Sequence, residues 1–207
     1  MKISCLQVGP IETNCYLLMD EAANACAVID PGDEAGRILA AVAETGSTPT
    51  AIFLTHGHYD HTDGVADLQA AWPGIPTYLN HRDAPTAGSP AAHLFPAVEN
   101  ATDYDEGTVL SVGTLTLTVL ATPGHSAGSV TLQCGDALFC GDTLFAGSCG
   151  RTDLLTGNMD EMMASLRRLA ELPGDFQVLA GHMEPSTLAQ ERSSNPYILQ
   201  ALREPRR

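Results

Sequence analysis

Residues 56–61 read His56-Gly57-His58-Tyr59-Asp60-His61, so three of the chain's seven histidines and a carboxylate share six positions. They follow the apolar run "TAIFLT" directly. Imidazoles crowded in an apolar setting are costly unless something binds them, and the candidate is a metal ion. In an extended loop, positions i and i+2 share a face, which pairs His56 with His58. Asp60 and His61 come after the chain can bend, and can serve a second point. Imidazole and carboxylate without thiolate suit zinc, iron or manganese better than copper(I) or an iron–sulfur cluster.

Three more residues of ligand type each follow an apolar run and a glycine: His125 in "TPGHSAGS", Asp142 in "FCGDTLF" and His182 in "VLAGHMEPS". Chemistry-bearing loops gather at one end of a sheet scaffold, so these strand-end groups are expected beside the first cluster as ligands. A competing pattern overlaps them. "GHSAG" at 124–128 matches GxSxG, and the order Ser126, Asp142, His182 matches an α/β-hydrolase triad. A nucleophile elbow needs a helix after its serine, whereas "SVTLQC" alternates as a strand, and a triad leaves 56–61 unexplained.

The elements that must position these groups are short. Residues 2–8, 14–20 and 25–30 have strand character, and "DPG" ends the third. A helix is expected over "DEAGRILAAVAETG", with Asp33 as N-cap and Gly46 as its stop. "TAIFLT" is a buried strand, 63–72 a helix, and "TYLN" at 77–80 a strand. Residues 83–107 carry no clear period and read as a loop or lid. "TLTLTVLAT" sets Leu115, Leu117 and Val119 against threonines, the alternation of a half-buried strand. "SVTLQC" and "ALFCG" form a hairpin around Gly135-Asp136. "NMDEMMASLRRLAEL" is a helix capped by Asn158, "FQVLAG" a strand and "PSTLAQER" a helix. Two stretches echo each other: strand, "DPGDE", helix, strand, "THGHYDH"; then strand, "GDTLFAG", helix, strand, "AGHMEP". Two such halves would bring both histidine-bearing strand ends to one crevice.

Composition bounds the function. The 207 residues suit one domain over 1–207. The formal charge is −15 with a single lysine, Lys2, and the only basic cluster is the tail Arg203, Arg206 and Arg207, which disfavours nucleic acid as partner. No run of about 18 apolar residues or signal-peptide pattern occurs, so neither a membrane span nor export is expected. Six cysteines without a CxxC pair read as reduced thiols of a cytoplasmic protein. Cys140, two residues before Asp142 and hence on its strand face, is read as a small buried residue, and Cys149 as a packed loop thiol. His81 and His93 are expected at the surface. The alternation leaves Tyr59 either beneath the cluster or facing a pocket. Arg151 can grip a substrate carboxylate bidentately or pair with Asp153. A small-molecule substrate is the expected partner.

The set "THGHYDH", "TPGHSAGS", "GDTLF" and "GHMEPST", with "NCYLL", "VIDPGD" and "ERSSNPY", resembles the metallo-β-lactamase superfamily, and within it the single-domain glyoxalase II-like hydrolases. The resemblance spans nearly the whole chain. It implies a four-layer αββα sandwich of two mixed β-sheets covered by helices, with two divalent metal ions in the crevice, zinc first and iron or manganese as alternatives. One ion would be held by His56, His58 and His125, the other by Asp60, His61 and His182, with Asp142 bridging; Asp60 and Asp142 are then the carboxylates at the reacting centre. Two divalent ions roughly 3.5–4 Å apart ionise a water near pH ~7 and clamp an oxyanion, so a metal-bridging hydroxide would replace a serine or cysteine nucleophile. A thiolate leaving group, of pKa near ~8.5, needs little help from a general acid. The implied activity is hydrolysis of small thioesters such as S-lactoylglutathione. Two departures stand: "GRTDLLTG" replaces the glycine-rich loop in which a basic residue of glyoxalase II helps bind glutathione, and few residues follow "ERSSNPY" to form that family's helical domain. Persulfide dioxygenases, which resemble the chain in "CGRTD" and hold one iron with residues matching His56, His125 and Asp142, are the alternative. A non-catalytic metal-binding module would be marked by a missing ligand, and none is missing.

Overall fold

The structure, a computed structural model, describes residues 1–84 and 90–204. Arg206 and Arg207 of the basic tail, and 85–89 of the irregular stretch, lie outside the described residues. Two six-stranded sheets form the centre. The first runs β1 (Lys2–Val8), β2 (Thr13–Asp20), β3 (Ala25–Ile29), β4 (Thr48–Phe53), β5 (Thr77–Tyr78) and β6 (Ala101–Thr102) in spatial order. Its first three strands are antiparallel and the rest parallel. The second is built from β7 (Val109–Val112), β8 (Leu115–Ala121), β9 (Val130–Cys134) and β10 (Ala137–Gly141), all antiparallel. After a small ribbon, β11 (Leu144–Phe145) and β12 (Ser148–Cys149), the chain returns as β13 (Gln177–Ala180) parallel to β10, and β14 (Ser186–Thr187) closes the edge.

Helices cover both outer faces. The long ones are α1 (Ala35–Thr45) on the first sheet and, on the second, α4 (Met159–Ala170) with α6 (Pro196–Arg203); α2 (Tyr59–Thr62), α3 (Val65–Ala71) and α5 (Leu188–Ser194) are shorter. The core falls into three slabs. Tyr16, Leu18, Ile29, Phe53, Leu117, Val119, Leu132 and Phe139 fill the space between the sheets. Leu17, Val28, Ile52 and Leu54 meet Ile38, Val42 and Leu68 of α1 and α3. Leu138 and Val178 meet Met162, Leu166, Leu169 and Ile198 of α4 and α6. β2 is buried along its whole length because it serves two slabs with alternate residues. The fold is the four-layer αββα sandwich. Among the described residues no helix is long and apolar enough to cross a membrane.

The internal echo is a topological fact. β3–α1–β4 and β10–α4–β13 are both parallel crossovers, and the 56–61 cluster and His182 follow their second strands. A left-handed residue stands where each first strand hands over to its loop, Asp30 just after β3 at φ 52° and Gly141 at the end of β10 at φ 48°. That turn corrects one expectation. Cys140 does not share a face with Asp142: the register slips between Phe139 and Gly141, Cys140 packs with α4, and Asp142 is swung into the crevice. Three boundaries also move. The α1 N-cap is Glu34 rather than Asp33, whose carboxylate instead accepts from the Glu34 N–H. The strand expected over 77–80 pairs only over Thr77–Tyr78, since Asn80 caps a 3₁₀ turn at His81–Asp83. The last-but-one helix begins at Leu188, because Ser186 and Thr187 pair with β13 and Thr187 caps the helix.

Candidate metal centre

Four loops at one end of the sandwich deliver the site. β4 runs out into Thr55 and His56, and α2 starts at Tyr59, so Asp60 and His61 lie on its first turn while His58 sits at its N-cap. β8 leads to His125, β10 to Asp142 and β13 to His182. All seven expected residues meet. His56, His58 and His125 form one set with ligand atoms within 4.8 Å of one another, Asp60, His61 and His182 a second, and His56, His61 and Asp142 a third that overlaps both. Asp142 stands between the sets: its Oδ2 is 3.4 Å from His125 Nε2 and 3.7 Å from His182 Nε2, and its Oδ1 is 3.4 Å from His61 Nε2. His182 Nε2 lies 3.2 Å from Asp60 Oδ2, and Thr13 donates to the same oxygen at 3.3 Å.

The surroundings orient the rings. His125 Nδ1 contacts the Arg151 carbonyl at 2.8 Å; a carbonyl only accepts, so Nδ1 carries the proton and the Nε2 lone pair points inward. Thr55 Oγ1 gives its one proton to Asp30 Oδ2 at 2.7 Å and so accepts from His56 Nδ1 at 3.1 Å, which again frees Nε2. His61 Nδ1 lies 3.0 Å from Asp30 Oδ2. His58 Nδ1 and His125 Nε2 face each other at 2.8 Å. Buried His56 Nε2, His58 Nε2, His61 Nε2 and Asp142 Oδ1 have no hydrogen-bond partner among the described residues. Orphaned polar atoms of this kind are rare in folded proteins, and a nitrogen–oxygen donor set with ligand atoms within 4.8 Å of one another fits divalent cations.

Electrostatics separate the two sets. Burial, followed by the neighbouring imidazoles, pushes His56 well below the ordinary histidine range, and burial with His125 brings His58 down to about 4. For His61 burial pulls down too, but the Asp30 and Asp142 carboxylates overcome it and hold the ring well above its usual value. His182 is also raised, burial being outweighed by its bond to Asp60 and by Asp142. Burial would raise Asp142, yet His61, His125 and His182 hold it below the ordinary carboxylate range. An ion must displace a proton from a raised imidazole but not from a lowered one, so acid competes at the second set first. We therefore expect dialysis at about pH 5.5 to release the ion of the second set while the first is retained, checked by metal content across a pH series. Loss of both in one step, or of the first alone, would contradict this order.

Ser126 is no nucleophile: it is buried, donates to Asp83 Oδ2 at 2.6 Å and shares a 2.7 Å contact with Ser129. Arg151 makes the bidentate pair with Asp153 at 2.8 Å for both bonds, and its carbonyl supports His125. His81 and His93 are exposed, Tyr59 is 40% exposed, and Cys149 packs against the slab beneath α4 and α6. Sequence reasoning passed over Asp30, although it stands in "VIDPGD", and Asp83, in a stretch without a period. Both are buried carboxylates behind the site.

The metallo-β-lactamase superfamily model matches residues 8–182. The chain is similar to the probable metallo-hydrolase YqgX of Bacillus subtilis, 35% identical with 96% of this chain and 98% of that one aligned. It is similar to the hydroxyacylglutathione hydrolase of Gloeobacter violaceus at 34% identity, over 88% and 82% of the two chains. Among solved structures it superposes on the BLEG-1 B3 metallo-β-lactamase (TM-score 0.85, 32% identity, 95% and 99% covered) and on TTHA1623 in a di-iron-bound form (0.79, 35%, 94% and 99%). It also superposes on ETHE1 from Myxococcus xanthus (0.79, 30%, 100% and 93%). With a His/Asp cluster that fits a dinuclear site, a matching fold and these relatives, the chain belongs to the metallo-β-lactamase superfamily.

Proposed function

We propose that the protein is a cytoplasmic, dinuclear metal-dependent hydrolase of small thioesters of the S-lactoylglutathione type, with zinc as the resident metal. The observation that carries the reading is Asp142, placed within 3.4–3.7 Å of ring nitrogens from both sets, where one carboxylate can serve two ions. When bound, two divalent ions supply Lewis acidity and a water ionised near neutral pH. The chain's own residues do the rest. His56, His58 and His125 would hold one ion, Asp60, His61 and His182 the other. The sealed His56 and His61 rings fix the floor, while Asp60, Asp142 and His182 keep 10–20% side-chain exposure and face incoming reactants. Exposed Tyr59 and Met183 flank ligand positions on the same loops and offer an apolar rim to an acyl or thiol group. The Arg151 guanidinium is engaged by Asp153, so a substrate carboxylate would have to displace that exposed pair. Iron and manganese remain compatible with the same donors.

One observation favours a second reading, a mononuclear iron persulfide dioxygenase: the "CGRTD" segment at 149–153, which resembles that of those enzymes. Shared fold does not settle chemistry, so the discrimination is kinetic. Thiol release from S-lactoylglutathione, without oxygen uptake when glutathione persulfide is supplied, is the expected result. Rapid oxygen uptake by a one-iron protein that releases no thiol would sink the hydrolase reading.

A further inference from the structure

The irregular stretch after β5 carries Asp83, 2% exposed and paired with no lysine or arginine among the described residues. Its carboxylate accepts three hydrogen bonds: from the Gly57 N–H at 3.0 Å and Ser126 Oγ at 2.6 Å on Oδ2, and from the Gly128 N–H at 2.7 Å on Oδ1. Gly57 lies between His56 and His58; Ser126 follows His125. One carboxylate thus fastens two loops, 69 residues apart in sequence, that carry all three imidazoles of the first set. Both loops are shaped around it. A Cβ at Gly128 would stand 2.7 Å from Asp83 Cγ, and one at Gly57 would stand 2.8 Å from the Asp83 carbonyl, too close for any side chain. A buried carboxylate is costly to keep without a cation, even with its oxygens bonded.

We infer that Asp83 is a positioning residue for the first set: by bonding Gly57, Ser126 and Gly128 it fixes the distance of His56 and His58 from His125, and so sets the affinity of that ion without touching it. Asp30 stands against the second set directly through His61 and reaches the first only through Thr55, which accepts from His56, whereas Asp83 bonds the loops of the first set alone. The inference rests on the metal-centre reading and is separable from it. The direct variant is Asp83→Asn, which keeps the size of the side chain but leaves one acceptor oxygen for three donors. Ser126→Ala removes one of the three bonds to Asp83, together with the Ser129 contact, and serves where the first variant does not fold.

Cobalt(II) titration of the metal-free protein, followed by the visible spectrum and by a competing chromophoric chelator, resolves the two binding steps. A His182→Ala background assigns the step that belongs to the first set. Asp83→Asn is expected to weaken that step by about 10- to 100-fold and alter its spectrum, while the second-set step moves by less than about threefold. Ser126→Ala is expected to weaken the same step by a smaller factor. A merely structural role would lower the melting temperature of the metal-free protein and weaken both steps together, and that outcome overturns the inference. So does an unchanged first step in both variants. A wild-type protein that binds no cobalt at all would instead overturn the metal-centre reading itself.

Discussion

Asp142→Ala is expected to lose at least three orders of magnitude in turnover and to retain less than one metal ion per chain. His58→Ala is expected to keep a partial complement and lose roughly 10- to 100-fold. The asymmetry follows from the geometry. Among the described residues Asp142 is the one carboxylate within reach of His61, His125 and His182 together, so its removal takes a ligand from both sets and their spacing with it. It also leaves the buried His61 and His125 without the carboxylate that lies 3.4 Å from each. A terminal imidazole such as His58 can be partly replaced by water. A loss of 10³-fold corresponds to about 4 kcal/mol of transition-state stabilisation, within what metal-ion electrostatics supply. The check is to measure metal content and kcat of the two variants on one preparation. Retention of both ions in Asp142→Ala would mean that Asp142 does not bridge.

Stripping the protein with a strong chelator is expected to abolish activity and lower the melting temperature by about 10 °C, with both restored when the metal is returned. An ion present at a thousandfold its Kd stabilises the folded state by about 4 kcal/mol. For a chain of this size each kcal/mol moves Tm by about 2–4 °C. The ion-free cluster also keeps orphaned His56, His58 and His61 ring nitrogens and the Asp142 oxygen in its buried floor, which costs further. Calorimetry of stripped and reloaded protein reads the shift. An unchanged Tm together with an unchanged rate would remove the metal from the account.

How much of this was legible in the sequence depended on period and spacing. His56, His58, Asp60 and His61 announce themselves because four ligand types in six positions have few bland explanations. His125, Asp142 and His182 were legible because each follows an apolar strand and a glycine, the place where a strand hands over to a loop. The alternation of Leu115, Leu117 and Val119 gave β8 correctly, since one face meets the inter-sheet slab. What period could not show was backbone that leaves the regular regions. Counting by twos put Cys140 and Asp142 on one face, and the left-handed turn at Gly141 broke the count. Glu34 at φ 51° displaced the expected Asp33 cap for the same reason. Asp83 was missed because it sits in a 3₁₀ turn, and its importance comes from contacts with Gly57, Ser126 and Gly128 that no local window contains. The helix at Pro196–Arg203 was not expected, although Asn195 caps it and Pro196 opens it.

Metal analysis of freshly purified protein, handled without chelator and normalised to chain concentration, tests the centre most directly. Two convergent sets with one carboxylate between them predict close to two divalent ions per chain, falling to about one in His182→Ala. A value near zero in active protein, or a single iron per chain that His182→Ala leaves unchanged, would contradict the account.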